Sequence, residues 1–180
     1  LAMWETNRGC PFSCTFCDWG SATAAKVYTF DMERLYQELD WFGSHHIKLV
    51  FCCDANFGIL KRDFDIAEHA ITIYHKYGYP EHFSIQSAKN RTERVYDIQK
   101  KLYDAGITKE IGIALQSVDP QTLQDIKRQN ISTDSYRELQ HRFTQDGIPT
   151  FSDIVLGLPG ETYDSFTKGL VSVIDNGQHD

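Results

Sequence analysis

Five times over, the chain alternates a short run of apolar, β-branched or aromatic residues with a longer stretch whose apolar side chains recur at helical spacing. This alternation constrains the fold more than any other feature, because repeated strand–helix units bury their apolar faces by stacking helices on a parallel sheet. Strands are predicted at Met3 to Asn7, Ile47 to Cys53, Phe83 to Ser87, Ile111 to Ser117 and Phe151 to Leu156. Three of them are too uniformly apolar to keep one face in water, which suits a parallel sheet covered by helices.

Helix signals fill the gaps. Asp31 can cap a helix that turns Leu35, Leu39 and Phe42 to one side, and Thr92 can cap one presenting Val95, Ile98 and Leu102, with Gly106 past its end. Asp119-Pro120 sets a capping carboxylate before proline at the first helical position, with Leu123 and Ile126 expected to be buried. Ser132 or Thr133 opens a further helix closed by Gly147, and another begins at Thr162. The five βα units have connections long enough for right-handed crossovers, with no linker between them. The expected fold is therefore α/β, most of an open (β/α)6 TIM-barrel-like domain spanning residues 1–180. In such folds the chemistry sits on the loops that follow the strands.

Composition narrows the classes of function. A length of 180 residues with 41% hydrophobic and 24% charged content is that of a folded globular domain. A net charge of −7 with scattered basic residues argues against a nucleic-acid groove; Lys100-Lys101 reads as a solvated helix face. No apolar run is long enough to span a bilayer, and the first residues lack the basic start and apolar core of a signal peptide. Five cysteines, three of them crowded together, do not form a secreted disulfide framework, so a reducing cytoplasm is expected. The chain starts without Met almost directly on a strand and stops after the helix-end signal Asn176-Gly177, so it is read as a fragment, with a sixth strand expected downstream.

The crowded cysteines are Cys10-Pro-Phe-Ser-Cys14-Thr-Phe-Cys17, directly after the first predicted strand. Thiolates are soft ligands suited to iron–sulfur clusters, and short spacings let one loop wrap one inorganic cube. Three cysteines leave one of a cubane's four irons open, and an open metal position implies chemistry rather than scaffolding. Phe12 and Phe16 would shield such a cluster. Other readings stay open at this point. A structural zinc site would want a fourth Cys or His nearby, where only Asp18 stands. Cys14 and Cys17 have the spacing of a redox dithiol, and Cys52 or Cys53 can complete a ferredoxin-type set.

The Cys-x3-Cys-x2-Cys pattern, with an aromatic before the third cysteine and a βα series behind it, resembles the radical S-adenosylmethionine (radical SAM) superfamily over essentially the whole chain. The resemblance implies that Cys10, Cys14 and Cys17 hold three irons of a [4Fe–4S] cluster. SAM would bind the fourth through its amine and carboxylate, and reductive cleavage would release a 5′-deoxyadenosyl radical. It also implies an electron donor such as flavodoxin or ferredoxin.

Further SAM contacts are expected at the other strand ends. After the second strand, Cys52-Cys53-Asp54-Ala55-Asn56-Phe57-Gly58 stands where many relatives carry Gly-Gly-Glu. Asp54 can accept the same charge-assisted hydrogen bond from the methionyl amine, with Asn56 beside it; Cys52 and Cys53 read as small hydrophobes. Lys89 and Arg91 follow the third strand and can meet a carboxylate, or form a solvated loop. Gln116 and Ser117 close the fourth strand and resemble the family's ribose-contacting position. Gly157-Leu-Pro-Gly160-Glu161-Thr162 resembles the adenine-lining turn of several branches, with Gly157 and Leu158 as contacts and Glu161 as a helix-start carboxylate. The seven histidines, including His45-His46 in a helix-to-strand turn, read as surface or packing residues.

The wider string Glu5 to Gly20, with Asp54-Ala-Asn-Phe57 and Gly157 to Thr162, resembles the branch with an N-terminal cobalamin-binding domain, which would lie upstream of Leu1. That resemblance implies methylation of an unactivated carbon or phosphorus in a small-molecule or peptide substrate. A methylthiotransferase-like enzyme and an oxidative or rearranging member of the branch are the enzyme alternatives. An iron–sulfur electron carrier or a zinc-stabilised binding module is the alternative from another class.

Overall fold

The computed structural model describes residues 1–90 and 92–178. In chain order the elements are β1 (Ala2–Trp4), β2 (Asn7–Gly9), α1 (Asp18–Ser21), β3 (Val27–Thr29), α2 (Met32–Ser44), β4 (Leu49–Cys52), α3 (Asp63–Tyr77), β5 (His82–Ser84), α4 (Thr92–Asp104), β6 (Ile111–Gly112), α5 (Pro120–Asp125), α6 (Thr133–Gln145), β7 (Thr150–Phe151) and α7 (Tyr163–Asp175). They divide between two compact units: Leu1–Gly9 with Val27–Lys109, and Cys10–Lys26 with the chain from Glu110 onward. The class is α/β, as expected. Among the described residues no helix is long and apolar enough to cross a membrane.

In the first unit β1, β4 and β5 form a parallel sheet in that order, with Ala2 opposite Val50, Trp4 opposite Cys52 and Val50 opposite Phe83. Val50, Cys52, Phe83 and Trp4 share one core with Leu35, Leu39 and Phe42 of α2, Ile66, Ala67, Ala70 and Ile73 of α3, and Ile98 and Leu102 of α4. The i, i+4, i+7 spacing on α2 supplies its buried stripe, and the Asp31 side chain caps it by accepting from the Arg34 N–H at 3.2 Å. Edge-to-face contacts of Trp4 with Phe42 and Phe83, at 6.0 and 6.1 Å, close the layer. The helix α3 carries none of the side-chain caps that mark α2: Arg62 at its cap position makes no capping bond. The position before α4 falls on residue 91, outside the described residues, and Thr92 is the first helical residue rather than the cap.

The second unit is built differently. Its β6 and β7 pair in parallel over two residues each, Ile111 with Thr150 and Gly112 with Phe151. Asp119, Ser132 and Thr162 cap α5, α6 and α7 as predicted, with a full capping box at Thr162 and Ser165. Ile126 is buried, whereas Leu123 is only half-buried. Leu115, Tyr136 and Val173 form a small apolar cluster. A polar network joins Tyr136 and Gln140 of α6 to Thr150, Ser152 and Gln178, with Gln140 Nε2 donating to Gln178 Oε1 at 2.6 Å and to Tyr136 Oη at 2.8 Å.

The strands are shorter than their apolar runs. The fourth stops at Gly112 rather than Ser117, and the fifth at Phe151 rather than Leu156, with one further bridge between Gln116 and Ile154. Gln116 takes a left-handed φ of 66°, which breaks the pleat. The first predicted strand likewise ends at Trp4, and Asn7–Gly9 turns away to pair antiparallel with Val27–Thr29. That hairpin, invisible in the apolar pattern, brackets the cysteine loop.

Candidate iron–sulfur and cofactor site

Residues 10–26 form an excursion between the two strands of the β2–β3 hairpin, and all three cysteines of the motif lie on it as free thiols. Cys10 and Cys14 are buried and Cys17 is half-buried. A turn links them, with the Cys17 N–H donating to the Cys14 carbonyl at 3.2 Å, and α1 begins directly after Cys17. Gly20 of α1 is buried against the loop, where a Cβ would overlap the Phe12 carbonyl; only glycine permits that approach. The Thr15 N–H reaches the Ile126 carbonyl at the end of α5 at 2.9 Å, tying the loop into its unit.

An open cleft of about 600 Å³ is lined by Cys14, Phe16, Cys17, Asp18, Ala24 and Ala25, among others. Ala24 and Ala25 hold φ values of 51° and 56°, an uncommon left-handed pair for residues with a Cβ. Phe12 is half-buried. Phe16 is 39% exposed and lies on the cleft wall, so it flanks the thiols without enclosing them.

The unit also holds a buried cation that the motif does not announce. Arg128 is only 9% exposed; its Nε donates to the Leu115 carbonyl at 3.1 Å and to Asn130 Oδ1 at 2.7 Å, and its Nη2 donates to the Ala114 carbonyl. Burial lowers its pKa, while the negative charge available at Cys14, and then at Cys17 and Cys10, pushes it back up. A fixed positive charge thus stands within electrostatic reach of all three sulfurs. In the sequence Arg128 is one of a basic pair, Lys127-Arg128, after a short helix. Only the left-handed turn at Lys127, with φ 52°, aims it inward.

Beside it lies the predicted ribose position. Gln116 is half-buried, its N–H bonded to the Asp153 carbonyl at 2.7 Å and its carbonyl to the Val155 N–H at 2.8 Å. Ser117 is buried, its Oγ accepting from the Asp119 N–H at 3.2 Å. At the fifth strand end, Gly157 has φ 84° and its N–H donates to a Glu161 carboxylate oxygen at 2.7 Å. Glu161 therefore closes the Gly157–Glu161 turn on itself, a different job from the helix-start role expected of it. Leu158 is 6% exposed, its carbonyl accepting from the Glu161 N–H at 3.0 Å.

In the other unit, Asp54 follows β4 and is fully buried. One carboxylate oxygen accepts from the Thr6 N–H at 2.7 Å and the Asn7 N–H at 3.2 Å; the other accepts from Asn7 Nδ2 at 2.7 Å and from the Thr6 hydroxyl. Burial raises its pKa against those bonds. Through these bonds Asp54 anchors the backbone between β1 and β2. Asn56 is buried, with its carbonyl accepting from the Ile59 N–H at 3.2 Å. Cys52 packs in the core, its thiol pKa pushed well up by burial, and Cys53 Sγ meets the Phe51 carbonyl at 3.6 Å. Lys89 precedes α4, and Arg91 lies outside the described residues.

Residues 4–168 match the radical SAM superfamily. The chain belongs to that superfamily. Over 179 residues it is 44% identical to the cobalamin-dependent radical SAM methyltransferase TokK of Streptomyces tokunonensis, covering 99% of this chain and 26% of that protein. Identity and coverage are the same against 2-(S-pantetheinyl)-carbapenam-3-carboxylate methyltransferase of Streptantibioticus cattleyicolor. The chain thus spans about a quarter of the length of these relatives. Among solved structures it resembles the radical SAM methyltransferase TsrM from Kitasatospora setae, with cobalamin and a [4Fe–4S] cluster bound. The TM-score is 0.77 at 16% identity, over 99% of this chain and 33% of that one. That likeness shows a shared α/β fold.

The donor set fits a cluster. Among the described residues no three Cys, His, Asp or Glu side chains converge on a single ion position. Three free thiols on one short loop are the soft donor set that an iron–sulfur cluster takes, one iron to each thiolate.

Proposed function

We propose that the protein containing this chain is a radical SAM methyltransferase that uses cobalamin and acts on an unactivated carbon of a small molecule. The observation that carries the reading is the loop bearing Cys10, Cys14 and Cys17, which forms a cleft lined by Cys14 and Cys17, with the buried Arg128 in electrostatic reach of the three sulfurs. A cluster held by Cys10, Cys14 and Cys17 would supply the one electron that reductive cleavage of the SAM C5′–S bond needs, giving methionine and a 5′-deoxyadenosyl radical able to abstract hydrogen from the substrate.

The residues of this chain hold and orient. Cys10, Cys14 and Cys17 would each hold one iron, and the tie from the Thr15 N–H to the Ile126 carbonyl holds the loop that carries them. Arg128 offsets the negative charge gathered there. Gln116 and Ser117 offer amide and hydroxyl groups to the ribose, and the Gly157 turn lets adenine approach the backbone. Methylcobalamin as methyl donor rests on the relatives, TokK foremost. The pantetheinyl carbapenam in the name of the second relative is the substrate to try first.

The test is anaerobic reconstitution of the full-length protein, followed by SAM and a reductant. 5′-Deoxyadenosine should form, and Cys14→Ala should reduce it to background. Undiminished deoxyadenosine from Cys14→Ala would overturn the assignment. A zinc module would give neither cluster absorbance nor deoxyadenosine, and an electron carrier only the absorbance.

A further inference from the structure

Just beyond α5, a single side chain holds several parts of the site at once. Asn130 is half-buried, and every polar atom of its amide is used. Its Nδ2 donates to the Leu115 carbonyl at 2.9 Å and to the Ser117 carbonyl at 2.8 Å, the two peptide carbonyls on either side of Gln116. Its Oδ1 accepts from Arg128 Nε at 2.7 Å. Gln116 itself has φ 66°, a conformation that costs a residue with a Cβ about 1–3 kcal/mol and persists only where its surroundings over-determine it. One edge of that segment is satisfied by residues 153–155, through the Asp153 carbonyl and the Val155 N–H. The other edge has side chains in place of a neighbouring strand, with Asn130 supplying two of the bonds and Arg128 the rest.

We infer that Asn130 is a positioning residue whose amide locks the left-handed Gln116–Ser117 segment and the Arg128 guanidinium into one arrangement, and that this sets the affinity for SAM. The inference rests on the SAM reading above. The chemistry follows from the donors. An amide is the one small side chain that can donate twice to carbonyls and still accept from a guanidinium. Without it, the Ser117 carbonyl loses its side-chain donor, the Leu115 carbonyl keeps only that of Arg128, Gln116 is free to relax toward a regular strand, and Arg128 loses the acceptor that Asn130 gives its Nε. A relaxed Gln116 turns its side chain to the opposite face, because successive residues of a strand alternate. Asn130 touches no reacting atom in this scheme; it acts through Gln116, Ser117 and Arg128.

The experiment measures SAM binding to the cluster-reconstituted full-length protein by equilibrium dialysis, well below its melting temperature, in wild type, Asn130→Ala and Asn130→Asp. Asn130→Asp keeps the shape and the acceptor for Arg128 while losing both donations, so it guards against a failure of the alanine variant to fold. Both variants should weaken SAM binding about ten- to a hundredfold, the scale that small misplacements of binding groups produce, with unchanged iron content and an unchanged number of sites. At saturating SAM the rate of deoxyadenosine formation should stay within a few-fold of wild type, so the effect falls on KM rather than kcat. A merely structural role would lower the number of competent sites and leave the affinity of the remainder intact, and that result overturns the inference. Wild-type affinity in Asn130→Asp overturns it equally. Failure of the reconstituted wild type to bind SAM is a separate outcome that overturns the cofactor reading and the inference with it.

Discussion

Two buried charges anchor irregular backbone in this protein, and they do so with opposite chemistry. Asp54 gathers donors, the N–H groups and side chains of Thr6 and Asn7, from 47 and 48 residues away. Arg128 gathers acceptors, the carbonyls of Ala114 and Leu115, from 13 and 14 residues away, within one βα unit. The carboxylate has its donors inside a unit with a large apolar core, where it fixes the chain that runs on into the cysteine loop. The guanidinium sits in a unit with short strands and a small apolar cluster, in electrostatic reach of the thiols. The carboxylate therefore holds the fold, and the guanidinium stands at the candidate site. Both are costly groups to bury, and each is tolerated because its hydrogen bonds are satisfied.

The sharpest way to break this distinction is to remove the carboxylate. Asp54→Ala leaves buried N–H groups of Thr6 and Asn7 without partners and should cost about 3–5 kcal/mol in urea denaturation. A loss below about 1 kcal/mol would mean that Asp54 is not the anchor described. Arg128→Met should cost less in stability, about 1–3 kcal/mol, because the Leu115 carbonyl keeps its bond from Asn130 and an under-satisfied carbonyl such as that of Ala114 is tolerated better than orphaned donors. Its effect on the reconstituted cluster should be the larger one, seen as lowered iron content or a shifted reduction potential. If the two variants exchange these signatures, the division of labour is wrong.

A smaller effect concerns the carboxyl next to Asp54 in the same unit. Asp63 is fully buried, one oxygen accepting from the Gly58 and Leu60 N–H groups at 2.8 and 3.0 Å, the other without a partner. Burial pushes its pKa from 3.8 to about 6, with the Asp54 charge adding to the rise and Arg62 opposing it. The folded state then holds a proton that the unfolded state has released, so stability falls as pH rises from about 4 to about 6. The loss should be on the order of 2 kcal/mol across that window and should vanish in Asp63→Asn, as melting curves at stepped pH will show. The smallest effect is on the cysteine loop. Ala24→Gly and Ala25→Gly relieve left-handed alanines and should raise stability by a few tenths to about 1 kcal/mol each, read as melting temperature.

Much of the fold was legible because its signals are local. The cap residues Asp31, Asp119, Ser132 and Thr162 and the apolar spacings of α2 and α4 each act over a few residues, so the chain order reveals them. The helix α3 escaped because Arg62 is no cap, and its start is fixed by Asp63 reaching back to Gly58 and Leu60. The β2–β3 hairpin escaped because Asn7-Arg8-Gly9 carries no apolar alternation and its partner lies across the cysteine loop.

For the site, the division is the same. The spacing of Cys10, Cys14 and Cys17 suffices to bring three thiols onto one loop, since the intervening residues are too few to carry them apart, and the resemblance it carries is what pointed to a cluster. What the sequence could not determine was which distant side chains would satisfy the backbone around it. The bonds of Asp54 to Thr6 and Asn7 carry no signal in the chain order, and neither do those of Arg128 and Asn130 to the fourth strand end. A buried carbonyl or N–H takes whichever partner the packing brings within 3 Å, and that choice is made only when the chain is folded.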